Sequence, residues 1–349
     1  MESSMTGSTI RASLGAQISR NLAAFIVIGA SVVAGVAIAI VAGPAQLINS
    51  VVTGGMWALM SVGLALVFGV MNIPHFAHGE SFMIGAYISY FVFTPLHNYL
   101  KNSPNGFLSA IAPFAGILAA TVGGFVIGAV IEKLVFYPLR RRTQVGWVMN
   151  AFLLTVGLSF IITNGTTLTL GPNFRGIPRY WDVEPIQFWG IRVAVDRLIA
   201  FAIAIVTLTA FWFFLRRTRT GRAIRAVSQD EIGAQMVGID LNFIHTLTFA
   251  LATAMAAMSG ACLLFMFQAY PTVGLKPLYF SWYVVMLVGL GNVAGAIVGG
   301  FIVALLQTAT QQFVGIAWED VIPTIVMILV LLLTPSGIFG SEVKGIQEQ

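Results

Sequence analysis

The chain has 349 residues, 58% of them apolar and only 9% charged, with mean hydropathy +0.89 and a formal net charge of +5. A soluble chain of this length has no means of burying so much apolar surface, and the apolar runs are continuous rather than alternating, so the composition defines an all-α polytopic membrane protein and excludes a β-barrel. The one cysteine excludes an intrachain disulfide, no G-x-x-x-x-G-K-[ST] loop is present to hold a nucleotide, and the excess of positive charge reports basic loops at the inner face rather than nucleic-acid binding.

Residues 1–21 are polar and rich in Ser and Thr, and read as a cytoplasmic N-terminal segment before a transmembrane domain over 22–340. The run 22–42 has the length of a membrane span rather than of a cleaved signal segment. A second span, 47–70, carries Gly54, Gly55 and Gly63, small residues that let membrane helices approach closely. Then Pro74 removes a helical hydrogen bond and Gly79 loosens the following turn, so the backbone is expected to break within 72–80. This stretch holds His75, Phe76, His78, Gly79 and Glu80, the candidate lining of a translocation path, because ionisable groups at membrane depth usually face a cavity. The apolar run that follows, Ser81 to Phe93, reads as a half-length helix.

A span over 111–135 ends in Glu132-Lys133, which reads as a snorkelling boundary pair, and Arg140, Arg141 and Arg142 mark the inside. Residues 148–170 cross outward to an external loop, 171–194, where Gln187 to Val195 suits a hairpin turning at Gly190 and Tyr180, Trp181 and Trp189 suit interfacial anchors. After the span 195–215 comes the most charged segment, 216–245, with Arg216, Arg217, Arg219, Arg222 and Arg225 in its first half. Ser228 and Glu231 have capping-box spacing, Asp230 lies between them and Gly238 offers a left-handed stop, which predicts a helix over 228–237. Beyond the span 246–269, the run 278–290 is abbreviated again and leads into Gly289, Gly291, Gly295 and Gly299, which read as helix-packing glycines. A last span, 321–333, precedes a polar tail at 341–349. Eight to ten crossings are expected, with one abbreviated helix in each half, as in transporters built from structural repeats.

Three ordered motifs carry a resemblance. Phe76-Ala77-His78-Gly79-Glu80 with Met83-Ile84-Gly85-Ala86-Tyr87, then Thr220-Gly221-Arg222-Ala223-Ile224-Arg225-Ala226 with Gly238-Ile239, then Gly289-Leu290-Gly291-Asn292 with Pro335-Ser336-Gly337, resemble the permeases of branched-chain amino-acid ABC importers. One departure is His75, where that family usually has Asn. The resemblance implies a non-catalytic permease of the bacterial cytoplasmic membrane for branched-chain or other small neutral amino acids. It implies a sister permease, an external solute-binding protein and two ATP-hydrolysing subunits that hold the ATP and Mg, with no cofactor in this chain. It makes 216–245 a coupling loop, with Arg222, Arg225, Ser228, Asp230, Glu231 and Gly238 as the ATPase-coupling residues. Related permeases carry urea, short amides or aromatic acids, so these remain alternative solutes. The residues alone also allow an ion-coupled secondary transporter, although midplane carboxylates are few. A metalloenzyme using His75 and His78 lacks the regular helical geometry that ligand spacing needs, because Pro74 precedes them.

Overall fold

The computed structural model describes residues 2–102, 105–142, 147–177, 179–181, 184–188, 191–264, 266 and 268–340, with side chains placed from residue 22 onward except at 188 and 191. The expected polar tail, the turn at Gly190 and Trp189 lie outside the described residues. Helix α1 (Glu2–Val41) is followed by α2 (Pro44–Met71), α3 (His78–Asn102) and α4 (Gly106–Ile131). A single π-helical turn (Glu132–Phe136) joins α4 to α5 (Tyr137–Arg142), and α6 (Trp147–Leu170) follows. Strands β1 (Ile186–Phe188) and β2 (Ile191–Val193) pair antiparallel as the expected hairpin. The chain continues through α7 (Val195–Arg217), the short pair α8 (Arg219–Gln229) and α9 (Glu231–Met236), then α10 (Leu241–Cys262), α11 (Leu275–Val288), α12 (Val293–Phe313) and α13 (Val321–Leu333). Among the described residues eight helices are long and apolar enough to cross a membrane, and α11 is a ninth, shorter apolar helix.

Helix α2 is the hub. Its surface is buried on nearly all sides, against α12, α10, α11 and α7, whereas α1, α6 and α13 leave most of their apolar surface facing outward, as a membrane solvent requires. Glycine makes the central contacts possible: a Cβ on Gly300 of α12 would stand 2.4 Å from the main-chain nitrogen of Ala58 in α2, and one on Gly85 of α3 would stand 2.0 Å from the carbonyl oxygen of Ala257 in α10. Without hydrophobic driving force between helices in lipid, such close backbone packing supplies the association energy.

Four expectations change. Helix α3 is 25 residues long and runs through Pro95, because a proline costs a membrane helix little once neighbours re-satisfy the freed carbonyl; the end of the apolar run at Phe93 marks only a change in polarity. The stretch 293–313 is a complete span, masked in the sequence by Gly295, Gly299 and Gly300. Of the glycines expected at helix interfaces, Gly299 packs α12 onto Val284 and Val288 of α11, while Gly295 sits in the first turn of α12, its N–H donating to the Asn292 cap at 2.8 Å. Gly289 (φ 107) and Gly291 (φ 77) form the α11–α12 turn in left-handed conformations, and Gly291 lies against Gly69. Finally, Tyr180 and Trp181 are buried rather than interfacial. Tyr180 donates to the Ala261 carbonyl at 2.5 Å, the Trp181 indole donates to the Ala110 carbonyl at 2.9 Å, and both main-chain N–H groups donate to Asp196. Burial pushes the Tyr180 phenol well above the usual tyrosine range.

Candidate functional site

The break after α2 is real and sits deep. Asn72 (φ 55) closes α2 in a left-handed conformation, its N–H bonded to the Phe68 carbonyl, and residues 72–77 return the chain into the bundle before α3 begins at His78. The Nε2–H of His78 donates to the carbonyl of Met60 at 3.1 Å, and Met60 lies just past the midpoint of the 28-residue α2. Gly63 of α2 lies against both: a Cβ there would stand 3.2 Å from the His78 ring and 2.7 Å from the carbonyl oxygen of Ala252, midway along α10. The start of α3 is therefore near the middle of the spans on either side of it.

The second break mirrors the first. Helix α10 ends at Cys262, and the 14-residue α11 starts at Leu275, directly after the buried Gly274. The two starts touch: a Cβ on Gly274 would stand 1.9 Å from the Gly79 carbonyl oxygen, and one on Gly79 would stand 2.6 Å from the Gly274 carbonyl oxygen. Two helix N-termini, each with N–H groups left over by helical geometry, thus converge at mid-depth.

Around this junction His75, His78, Gly79 and Glu80 are buried and Phe76 is half-buried. The His75 ring lies tilted against Phe249 at 4.8 Å and edge-on to His78 at 5.6 Å, and neither of its ring nitrogens has a hydrogen-bond partner. Phe76 packs between Phe152 and Trp282, with ring centres 5.4 and 5.1 Å away. Helix α6 supplies a ladder of hydroxyls that the sequence reading did not single out, at Thr155, Ser159 and Thr163. Thr155 accepts from the Phe76 N–H at 3.2 Å and donates to the Pro74 carbonyl at 3.1 Å. Ser159 and Thr163 donate to Oε1 of Glu80 at 2.5 and 3.2 Å, while Oε2 of Glu80 has no partner. Their spacing of four places all three hydroxyls on one face of α6, a signal visible only once Glu80 is known to lie opposite. Further along α3 from Glu80, α3 and α6 line an open apolar groove of about 310 Å³ that includes Met83, Ile84, Tyr87, Ile88 and Thr166. Among the described residues no three His, Cys, Asp or Glu side chains cluster as metal ligands.

A second polar network lies beyond the start of α11. Glu319 is gripped by Lys276, Gln311 and Gln307, and Gln307 in turn accepts from the Trp57 indole of α2 at 2.9 Å.

At the arginine-rich end, the expected helix over 228–237 is two helices with a different cap. Thr218 caps α8 by accepting from the Gly221 N–H at 2.9 Å, so the helix starts early, and Ser228 lies inside it, its hydroxyl turned back to the Arg225 carbonyl. Asp230, in extended conformation, caps α9 by accepting from Gly233 N–H at 3.0 Å. A carboxylate is acceptor-only and suits a cap, whereas a serine hydroxyl bonds back to its own helix and remains in it. Gly238 (φ 86) ends α9 as expected, with the Ile239 N–H bonded to the Ala234 carbonyl. Helix α8 buries Gly221, Ile224 and Val227 and turns Arg222 and Arg225 outward. Helix α9 leaves Ile232, Met236 and Val237 72%, 85% and 77% exposed, an apolar patch on a polar surface. Behind it a cavity of about 320 Å³ is lined by Arg140, Arg141, Glu231, Gln235 and His245. Burial against this wall pushes the Glu231 carboxyl up, with Arg140 opposing. Glu132 is not a boundary residue: it is fully buried, paired with Arg140 at 2.8 Å and accepting from Thr246 of α10 at 2.5 Å.

Eight helices of spanning length among the described residues, two helix starts meeting at mid-depth, and a capped helix pair exposed at the basic end define a multi-pass membrane permease. Residues 46–331 match the family described as the permease component of branched-chain amino acid transport systems, and the chain belongs to that family. It is 29% identical over 300 residues to the high-affinity branched-chain amino acid permease LivH of Escherichia coli K12, covering 84% of this chain and 94% of that protein. It is 28% identical to BraD of Pseudomonas aeruginosa, covering 84% of this chain and 95% of that one. Similarity also extends to LivM of E. coli K12, 27% identical over 59% of this chain and 49% of LivM. No solved structure matches the chain.

Proposed function

We propose that this chain is the permease subunit of an ATP-driven importer in a bacterial cytoplasmic membrane, carrying branched-chain or similar small neutral amino acids. The observation that carries this reading is the exposed apolar patch of Ile232 and Met236 on α9 and Val237 just after it, together with the outward-facing Arg222 and Arg225 of α8. Such a helix is built to lay its apolar face in a groove of a soluble partner, with arginines meeting acids at the rim. The arginine density supports a cytoplasmic location for that end, where two ATP-hydrolysing subunits, holding ATP and Mg, would dock on α8–α9 of this chain and of a sister permease. The names of the relatives support an amino-acid solute, and the similarity to LivM supports a permease pair. A solute-binding protein delivers the amino acid at the opposite face.

At the junction, the convergent N-termini of α3 and α11 favour the solute carboxylate, and the free Oε2 of Glu80 favours its ammonium group. The apolar groove further along α3 matches an aliphatic side chain. ATP acts only through its different affinity for outward- and inward-open states.

Co-expression of this chain with its sister permease and candidate ATPase subunits, followed by purification and reconstitution in vesicles, tests the reading. A complex is expected that takes up leucine only with ATP and binding protein. Uptake by this chain alone, driven by an ion gradient, overturns it.

A further inference from the structure

The π-turn between α4 and α5 connects the basic end to the junction. Fully buried Glu132 opens the turn and Phe136 closes it. On the basic side Glu132 holds Arg140 and Thr246, and Arg140 lines the same cavity as Glu231 and Gln235 of α9. On the junction side the Phe136 ring lies 5.0 Å from Phe249 and 6.4 Å from His75. One short turn therefore touches the wall behind α9 at its start and the lining of the broken helices at its end. A π-turn carries one residue more than the α-helix around it, and such turns recur at functional sites. A buried ion pair is also a poor choice for stability alone, since apolar residues of like volume serve as well or better.

We infer that Glu132 and Arg140 are positioning residues, and that the π-turn they close transmits displacement of α9 to His75 and the start of α3. This rests on the proposed coupling to ATPase subunits. When α9 is drawn by its partner, the cavity wall at Arg140 moves with it, Glu132 follows through the ion pair, and Phe136 shifts against His75 and Phe249. The hydrogen bond from Thr246 makes α10, which also flanks the junction at Ala252, move in step with the turn.

The test is the ratio of leucine transported to ATP hydrolysed, measured on the reconstituted complex with binding protein. Glu132→Gln keeps the acceptor for Thr246 and loses the charge pair; it is expected to leave ATP hydrolysis within about twofold while cutting transport roughly tenfold. Arg140→Lys keeps the charge and is expected to restore much of the ratio relative to Arg140→Gln. Lys133→Ala, an exposed neighbour on the same turn, is expected to match the unmodified complex. A merely structural role lowers the amount of assembled complex and hence both activities together, leaving the ratio unchanged. An unchanged ratio in Glu132→Gln, or Arg140→Lys no better than Arg140→Gln, overturns the inference. If the unmodified complex shows no ATP-dependent uptake, the functional reading itself fails, and this is distinct from an importer that works with an indifferent Glu132.

Discussion

Gly79 and Gly274 stand backbone to backbone at the point where the two broken helices begin, each leaving no room for a Cβ beside the carbonyl of the other. Residues 195 positions apart in the chain thereby fix the depth of both helix starts at once, since neither α3 nor α11 is able to slide without driving one main chain into the other.

Replacing Gly274 by Ala is expected to separate the two helix starts and destabilise the protein by about 1–3 kcal/mol, because neither side of the contact is a flexible side chain. Gly157→Ala, on α6 with nothing near its Cβ, is the matched control and is expected to be neutral or slightly stabilising. Thermal unfolding in detergent measures both; equal midpoints contradict the contact.

Glu80→Gln retains an oxygen to accept from Ser159 and Thr163, so the fold is expected to survive. The negative charge at Oε2 is lost, and leucine uptake is expected to fall roughly tenfold, by the loss of one charge-assisted hydrogen bond. Ser159→Ala with Thr163→Val leaves the carboxylate without its donors and is expected to lower uptake too. Uptake unchanged in Glu80→Gln removes Glu80 from the path.

Ile232→Asp with Met236→Asp places charge on the exposed face of α9 without touching the buried Ala234. The bundle is expected to remain folded while affinity for the ATPase subunits drops by roughly thirtyfold or more, as for loss of a central apolar anchor. Asp230→Ala removes the cap and is expected to loosen α9 by about 1 kcal/mol, whereas Ser228→Ala is expected to have almost no effect. Co-purification yield and hydrogen exchange over 231–236 separate these outcomes.

Arg140→Ala strands Glu132 in a buried site and is expected to destabilise by about 3–5 kcal/mol, while Lys133→Ala is expected to change nothing measurable. Arg140→Ala with Glu132→Leu is expected to recover most of the loss, since no buried charge then remains. Denaturation of the detergent-solubilised protein reports all three.

Most of the spans, the break near Pro74, the short helix ahead of Gly289 and the left-handed stop at Gly238 were legible in the sequence, because each depends on local chemistry: apolar length, a missing N–H or an absent side chain; the span 293–313 was not, because its glycines dilute the apolar run. The same local logic misplaced the cap of α9, since Ser228 and Asp230 both qualify and only the early start at Thr218 decides between them. It also took Glu132 for a boundary residue, because nothing within a few positions reveals Arg140 folding back or Thr246 arriving from α10. Tertiary structure alone decided that Gly79 meets Gly274 and that the hydroxyls of α6 face Glu80. The physical reason is range: hydropathy and backbone freedom act along the chain, whereas partners for buried charge and contacts between helices form only when distant segments are brought side by side.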